Sequence, residues 1–145
     1  MADAVTRTVR GRILLAALSL CYLAVLGSLT LGPQPEGAGG VMRTVADAFS
    51  RWPVTAWITA EVLEFCANIV LFVPAGLLAA CWLPPRVRWA AIPVGLALSG
   101  SIESIQAIWL VDRVPDVRDL VANTLGAAIG FVILRRIGPR RRIAG

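Results

Sequence analysis

The sequence predicts an all-α protein that crosses a membrane four times and carries a short amphipathic helix on its outer surface. The chain of 145 residues is 57% hydrophobic with a mean hydropathy of +0.74, which is too apolar for an ordinary soluble domain. Its apolar residues also gather into four runs, each close to the roughly 20 residues that a helix needs to cross a bilayer. Composition and run length together indicate an integral, polytopic membrane protein.

The predicted spans divide the chain into three parts. These parts are an N-terminal segment of residues 1–12, a membrane domain of residues 13–137 and a basic tail of residues 138–145. The spans within the membrane domain are residues 13–31, 62–83, 89–110 and 120–137. The first apolar run is too long for a secretory signal peptide and has no small-x-small cleavage site before Pro33, so we expect it to stay as a helix.

Arginine is the only basic residue type, and its distribution predicts the orientation of the spans. Positive charge marks the cytoplasmic side of a membrane protein. We therefore expect a plasma-membrane protein with both termini in the cytoplasm, with a net charge of +9 on the inner side and −4 on the outer side. The inner arginines would be Arg7, Arg10, Arg12, Arg86, Arg88, Arg135, Arg136, Arg140, Arg141 and Arg142. Contact with the bilayer and its anionic headgroups explains them without a nucleic-acid partner.

The outer loop, residues 32–61, divides into a Pro/Gly segment and an amphipathic segment. Residues 32–40 read GPQPEGAGG, which is typical of a loop. At 100° per residue, residues 41–52 place apolar side chains on one side and polar ones on the other. This pattern predicts a helix that lies on the outer leaflet or covers the bundle, and that Pro53 ends.

Polar residues recur on one face of each of the last three spans. The second span carries Glu61, Glu64 and Asn68; the third carries Ser99, Glu103 and Gln106; the fourth carries Asp116, Asp119 and Asn123 with Gly126 and Gly130. A carboxylate within a span costs ~2.5 to 3.5 kcal/mol on insertion scales and usually faces a bundle interior or a water-filled cavity. The sequence therefore predicts an outward-opening polar pocket. Its walls would be Glu64, Asn68, Glu103, Gln106 and Asn123, and its rim Arg113, Asp116 and Asp119.

A structural interpretation competes with the pocket at most of these positions. Asp116 and Asp119 have the spacing of a helix N-cap and its N3 partner. The amides of Asn68, Gln106 and Asn123 could join neighbouring helices by hydrogen bonds, and Gly-x-x-x-Gly at 126 and 130 is typical of a close-packing face. Capping does not explain Glu64 and Glu103, so these two carry the functional interpretation.

Other features limit the chemistry. Cys21, Cys66 and Cys81 each lie singly in a predicted span, and the chain has no histidine. The cysteines are therefore expected to be small apolar packing residues, and mechanisms that need a histidine are excluded. The sequence requires no cofactor, although oxygen ligands from Glu103, Asp116 and Asp119 are of the type that binds a divalent cation. Pro74, in the middle of the second span, should kink that helix and free a carbonyl group.

Three segments of the chain together resemble the VanZ-like family of bacterial membrane proteins. The resemblance covers about residues 60–135, and Ala75 departs from the bulkier or different residue that many members carry there. The matching segments are Asn68-Ile-Val-Leu-Phe72-Val-Pro74-Ala-Gly76, then Glu103-x-x-Gln106, then Arg113-x-x-Asp116-x-x-Asp119-x-x-x-Asn123-x-x-Gly126-x-x-x-Gly130. The family's namesake is linked to resistance to teicoplanin-type glycopeptides, so the resemblance implies a role in the cell envelope more strongly than a reaction.

Three functions follow from these residues, besides a purely structural partner-binding protein in which an interhelical network replaces the pocket. The favoured one is a non-enzymatic envelope protein whose outward pocket binds a glycopeptide, a wall precursor or a lipid headgroup, and so alters glycopeptide susceptibility. The second is a metal-dependent enzyme acting on a lipid-linked or phosphorylated substrate. Arg113 would hold the phosphate, and Glu103, Asp116 and Asp119 would bind the metal. The third is a small proton- or cation-coupled transporter using Glu64 and Glu103, which would need a homo-oligomer because four spans leave little room for a pathway.

Overall fold

The structure is a computed structural model that describes residues 8–31, 36–109 and 116–137, with the backbone alone over residues 36–42. Within these ranges all of the regular secondary structure is helical. In chain order the helices are α1 (Val9–Leu31), α2 (Glu36–Ser50), α3 (Ala60–Trp82), a 3-10 helix (Pro85–Ala90), α4 (Ala91–Trp109) and α5 (Val117–Ile137). Four segments are long and apolar enough to cross a membrane, namely α1, α3, the 3-10 helix with α4, and α5. The predicted fold class is confirmed.

Two spans begin before their apolar runs because threonines cap their first turns. The Thr8 hydroxyl accepts a hydrogen bond from the Gly11 amide at 3.0 Å, so α1 starts at Val9 rather than at residue 13. The Thr59 hydroxyl accepts one from the Val62 amide at 3.3 Å, and α3 starts at Ala60. A capping side chain satisfies a backbone donor that the first turn leaves open, which makes the earlier start favourable.

Helix α2 differs from the prediction at both ends. It covers Glu36–Ser50, so residues 36–40, predicted as loop, are helical, while residues 51 and 52 lie beyond its end. Each interior glycine costs a helix about 1 kcal/mol, which weakens a helix without breaking it. After α2 the backbone turns repeatedly: the Trp52 amide donates to the Phe49 carbonyl at 3.2 Å and the Thr55 amide to the Trp52 carbonyl at 2.9 Å.

Helices α3 and α5 form the most extensive helix contact in the bundle. A Cβ atom added at Gly126 would overlap the Ile69 carbonyl oxygen, and one added at Gly130 would overlap the Val73 carbonyl oxygen. One added at Gly76 would overlap the backbone of Ala127 in the same way. The two backbones therefore touch along a glycine-lined seam, which places the polar residues on both helices within reach of one another.

Helix α4 packs beside this pair, and α1 lies on the α3–α4 side of the bundle. Some of the buried apolar residues form two small clusters. One cluster joins Leu26, Phe72, Ala75 and Ile102. The other joins Ala80, Ala91 and Leu134. Most other large apolar side chains face outward, as expected where the surroundings are lipid.

Side-chain hydrogen bonds attach α1 at three heights. The Trp82 indole donates to the Ser19 hydroxyl at 3.1 Å, and the Tyr22 hydroxyl donates to the Leu71 carbonyl at 3.0 Å. Further along, the Gln106 amide donates to the Thr30 carbonyl at 2.8 Å. Pro74 has no amide hydrogen, so the Val70 carbonyl lacks its helical donor. The hydrogen bond from Tyr22 goes to the adjacent carbonyl, that of Leu71.

The two ends of the bundle differ in charge. The acidic end carries Glu61, Glu64, Glu103, Asp116 and Asp119, and the arginine end carries Arg10, Arg12, Arg86, Arg88, Arg135 and Arg136. Exposed tryptophans also divide between the ends, with Trp52, Trp57 and Trp109 at the acidic end and Trp82 and Trp89 at the arginine end. At ~1.5 Å per residue, α3 is long enough to join two such belts across a bilayer.

Candidate functional site

The candidate site is built where α4 ends and α5 begins, at the acidic end. Asp116 precedes the first residue of α5, and its Oδ1 accepts a hydrogen bond from the Arg118 amide at 2.8 Å. The Asp116 amide in turn donates to Glu103 Oε2 at 3.2 Å. Asp116 therefore acts as an N-cap, and Glu103 on α4 holds the residue that starts α5. Glu103 is partly buried, whereas Asp116 is exposed.

Asn68 and Asp119 connect α3 to α5 one turn deeper. The Asn68 amide donates to Asp119 Oδ1 at 2.6 Å, and both side chains are partly buried. Each residue belongs to a polar face inferred on its own helix, and the glycine seam brings the two faces together. A hydrogen bond to a carboxylate is shorter and stronger than one between neutral groups, so this pair is a firm link between the helices.

Asn123 and Gln106 are the most buried of the site residues, and each is only 6% exposed. The Asn123 amide donates to the Ser99 hydroxyl at 2.8 Å, joining α5 to α4. Gln106 bonds to the Thr30 carbonyl, joining α4 to α1. Gln106 lies about one turn nearer the acidic end than Glu103, and Asn123 lies about one turn deeper than Asp119. These two amides stabilise contacts between helices. Asn123 Oδ1 is buried and has no hydrogen-bond partner among the described residues.

Glu61 and Glu64 form the exposed edge of this cluster on α3. Glu61 Oε2 lies 3.8 Å from Arg118 Nη1, with the two side chains 71% and 66% exposed. An ion pair this exposed contributes little to stability, typically ~0 to 1 kcal/mol. Glu64 is exposed on the same helix, one turn from Glu61 and one turn from Asn68.

The structure therefore arranges the predicted site residues in layers. Glu64 and Asp116 are accessible, Glu103 and Asp119 are intermediate, and Gln106 and Asn123 are enclosed in contacts between helices. Arg113 lies outside the described residues. Among the side chains that the structure describes, no three acidic or cysteine residues stand close enough to hold a metal ion together.

Several partners in this network have no signal in the sequence. Thr30 contributes its backbone carbonyl, a group that every residue type carries, so its identity gives no signal. Ser19 and Tyr22 lie in an apolar run without an amphipathic pattern, so nothing singles them out. Ser99 shares a helical face with Glu103 and Gln106, which was the only sequence signal for any of these partners.

The described residues also line a partly open cavity outside the candidate site. It has a volume of about 190 Å³ and an almost wholly apolar lining, and it lies between α1, α3 and α4 on the half of the bundle nearer the arginine end. The predicted polar pocket and this cavity share no residue.

Comparison with known proteins gives one family. The model of the VanZ/LLP1 family matches residues 19–138, which is most of the chain. The match begins within α1 and extends past the end of α5, so it includes every described residue of the candidate site. Neither a curated protein nor a solved structure matches the chain significantly.

Proposed function

Since the chain belongs to the VanZ/LLP1 family, we propose that it acts in the bacterial cell envelope by binding a ligand at its acidic end. The protein lies in the plasma membrane with the acidic end outside and both termini in the cytoplasm. The ligand is a glycopeptide, a wall precursor or a lipid headgroup, and its binding alters susceptibility to glycopeptides. The proposal assigns the protein no reaction.

One observation carries this proposal. Exposed carboxylates, Glu64 and Asp116, stand above a network that ties α3, α4 and α5 together. Carboxylates accept hydrogen bonds from N–H and O–H groups, which peptide and sugar moieties of wall precursors and glycopeptides supply in number. Because the hydrogen bonds below hold the helices in register, the carboxylates need little reordering when a ligand arrives.

The charge distribution supports both the orientation and the type of ligand. Six of the described arginines lie at the arginine end, where positive charge favours the cytoplasm. The acidic end disfavours a bare anion and favours a ligand with ammonium groups or many donors.

The experiment compares glycopeptide susceptibility in a bacterial strain that expresses the wild-type protein, the Glu64→Gln variant, the Glu103→Gln variant or an empty vector. Wild-type expression should change the inhibitory concentration of a teicoplanin-type glycopeptide. Each variant should return the value towards the vector control, because glutamine keeps the size of the side chain and removes its charge.

Asp47→Asn serves as the matched control. Asp47 is an exposed acid on α2, outside the network, so removing its charge should leave susceptibility at the wild-type value. Protein level in the membrane is measured for every strain. Variants that are present at normal levels and behave as wild type would refute the role of the carboxylates.

A further inference from the structure

The apolar cavity between α1, α3 and α4 points to a second ligand, different in kind from that of the acidic end. Its walls include Tyr22 and Leu23 from α1, Ala79 and Trp82 from α3, and Val94 and Leu98 from α4. At about 190 Å³ it exceeds the apolar cavity of ~150 Å³ that stays dry and accepts a benzene-sized hydrocarbon. A segment of a hydrocarbon chain therefore fits the available space.

The polar groups around the cavity are already engaged. The Ser19 hydroxyl donates to the Leu15 carbonyl at 2.8 Å and accepts from the Trp82 indole at 3.1 Å. The Tyr22 hydroxyl donates to the Leu71 carbonyl at 3.0 Å. A buried water typically needs two to four polar partners, and these contacts leave few to offer. The cavity therefore suits hydrocarbon better than water.

Two arginines lie beyond the end of the cavity that is nearer the membrane surface. Arg86 follows Trp82 by four residues, and Val94 lies near the start of α4, directly after the 3-10 helix that carries Arg86. Arg12 precedes Ser19 by seven residues, about 10 Å along α1 at ~1.5 Å per residue. Both arginines are exposed, so their guanidinium groups can reach a phosphate at the level of the headgroups.

We propose that this cavity binds one hydrocarbon chain of an anionic phospholipid, whose phosphate contacts Arg12 and Arg86. The arrangement combines an apolar cavity for the chain with complementary charge for the headgroup. It differs from the general contact between arginines and headgroups, because occupancy depends on the shape of the cavity as well as on charge. The proposed site lies at the opposite end of the bundle from the carboxylates and does not depend on their function.

The test uses the full-length protein reconstituted with equal amounts of phosphatidylglycerol and phosphatidylcholine that carry identical chains. Native mass spectrometry then counts the lipids retained by each protein molecule. The wild-type protein should retain phosphatidylglycerol in preference to phosphatidylcholine. The Arg12→Gln/Arg86→Gln variant should lose most of this preference, on the order of fivefold for each arginine removed.

Two matched controls separate the cavity from the surface. Val94→Trp fills the cavity and should abolish retention, whereas Val121→Trp, at an equally exposed position (both 48%) on α5, should not. If Val94→Trp fails to fold, Leu23→Trp fills the cavity from α1. Arg43→Gln/Arg51→Gln removes the same charge at the acidic end and should keep the preference.

The proposal is wrong if the two lipids are retained equally, or if filling the cavity affects retention no more than Val121→Trp does. It is also wrong if the arginine pair at the acidic end matters as much as Arg12 and Arg86. These outcomes leave the proposed function of the acidic end untouched, since no glycopeptide or wall precursor enters the measurement.

Discussion

Asn68 and Asp119 show how a polar residue within a span is used in this protein. Each has the sequence pattern of a pocket residue, yet the two side chains bond to each other at 2.6 Å across α3 and α5. Asn123 and Gln106 likewise bond to neighbouring helices. At the residue scale, the amides stabilise the bundle, and the exposed carboxylates remain as the groups that a ligand can reach.

The link between Asn68 and Asp119 can be measured by a double-mutant cycle with Asn68→Ala and Asp119→Ala. Hydrogen bonds between membrane helices contribute ~0.6 kcal/mol on average and up to ~1.7 kcal/mol. Because this bond has a carboxylate acceptor, we expect a coupling energy of about 1 kcal/mol in the free energy of unfolding, measured in mixed micelles.

Asn68→Ala combined with Asp47→Ala provides the control, since the described structure has no hydrogen bond or ion pair between these residues and their effects should simply add. If the effects of Asn68→Ala and Asp119→Ala on the free energy of unfolding also simply add, the hydrogen bond between these two residues contributes nothing to stability.

The contact between α3 and α5 is set at the element scale by three glycines. The backbones approach so closely at Gly76, Gly126 and Gly130 that a methyl group would overlap backbone atoms of the opposite helix. Gly27 on α1 and Gly100 on α4 differ, because a Cβ added at either position would have no described atom within 4 Å apart from the neighbouring backbone of its own helix. The five glycines are alike in sequence context, since each lies within an apolar helix.

Gly130→Ala should destabilise the protein, because the new Cβ would lie 2.6 Å from the Leu77 amide nitrogen and overlap the Val73 carbonyl oxygen. Backbone atoms cannot rotate away, so α3 and α5 must separate. We expect a loss of about 1 to 3 kcal/mol in the free energy of unfolding, as for other overpacked positions.

Gly100→Ala makes the same chemical change where there is open space. Alanine favours a helix over glycine by roughly 0.5 to 1 kcal/mol, so this variant should be neutral or slightly more stable. Equal effects of the two substitutions on thermal unfolding would mean that the glycine seam does not govern packing.

The whole molecule is polarised along the membrane normal. The chain alternates direction through its four spans, so residues distant in sequence meet at the same end, and each end has one dominant sign of charge. This polarity predicts the orientation, with the arginine end in the cytoplasm. It also separates the two proposed ligands, one at the carboxylates and one beside the arginines.

Orientation can be tested by labelling single cysteines in intact cells, after Cys21, Cys66 and Cys81 are replaced by alanine. The two labelling sites are Ser50→Cys, at the exposed end of α2, and Val87→Cys, at an exposed position in the 3-10 helix. Neither substitution alters a charge. A membrane-impermeant maleimide should label Ser50→Cys in intact cells and Val87→Cys only after permeabilisation. The reverse pattern would invert the orientation and place the carboxylates in the cytoplasm.

The class of protein, the four spans and the segregation of charge can be predicted from the sequence without knowledge of how the helices pack. These properties are local: a run of about 20 apolar residues suffices to cross a bilayer, whatever it packs against. The sequence also placed Asn68, Asp119 and Asn123 on the correct faces of their own helices, because the helical repeat fixes direction within a single element. The predicted start of α2 was wrong, because the glycines of residues 36–40 were interpreted as loop residues.

Which residues meet depends on how the helices pack against one another. A helical wheel gives the direction of Asn123, but its partner Ser99 depends on how α4 and α5 are aligned along their axes. That alignment is set where α4 approaches α5 most closely, since a Cβ added at Gly95 would overlap Ala127. The Gly-x-x-x-Gly pattern at 126 and 130 predicts a close-packing face, but it does not say which helix that face meets. The apolar cavity is a similar case, because its walls come from three helices that are each uniformly apolar there, and its volume exists only between them.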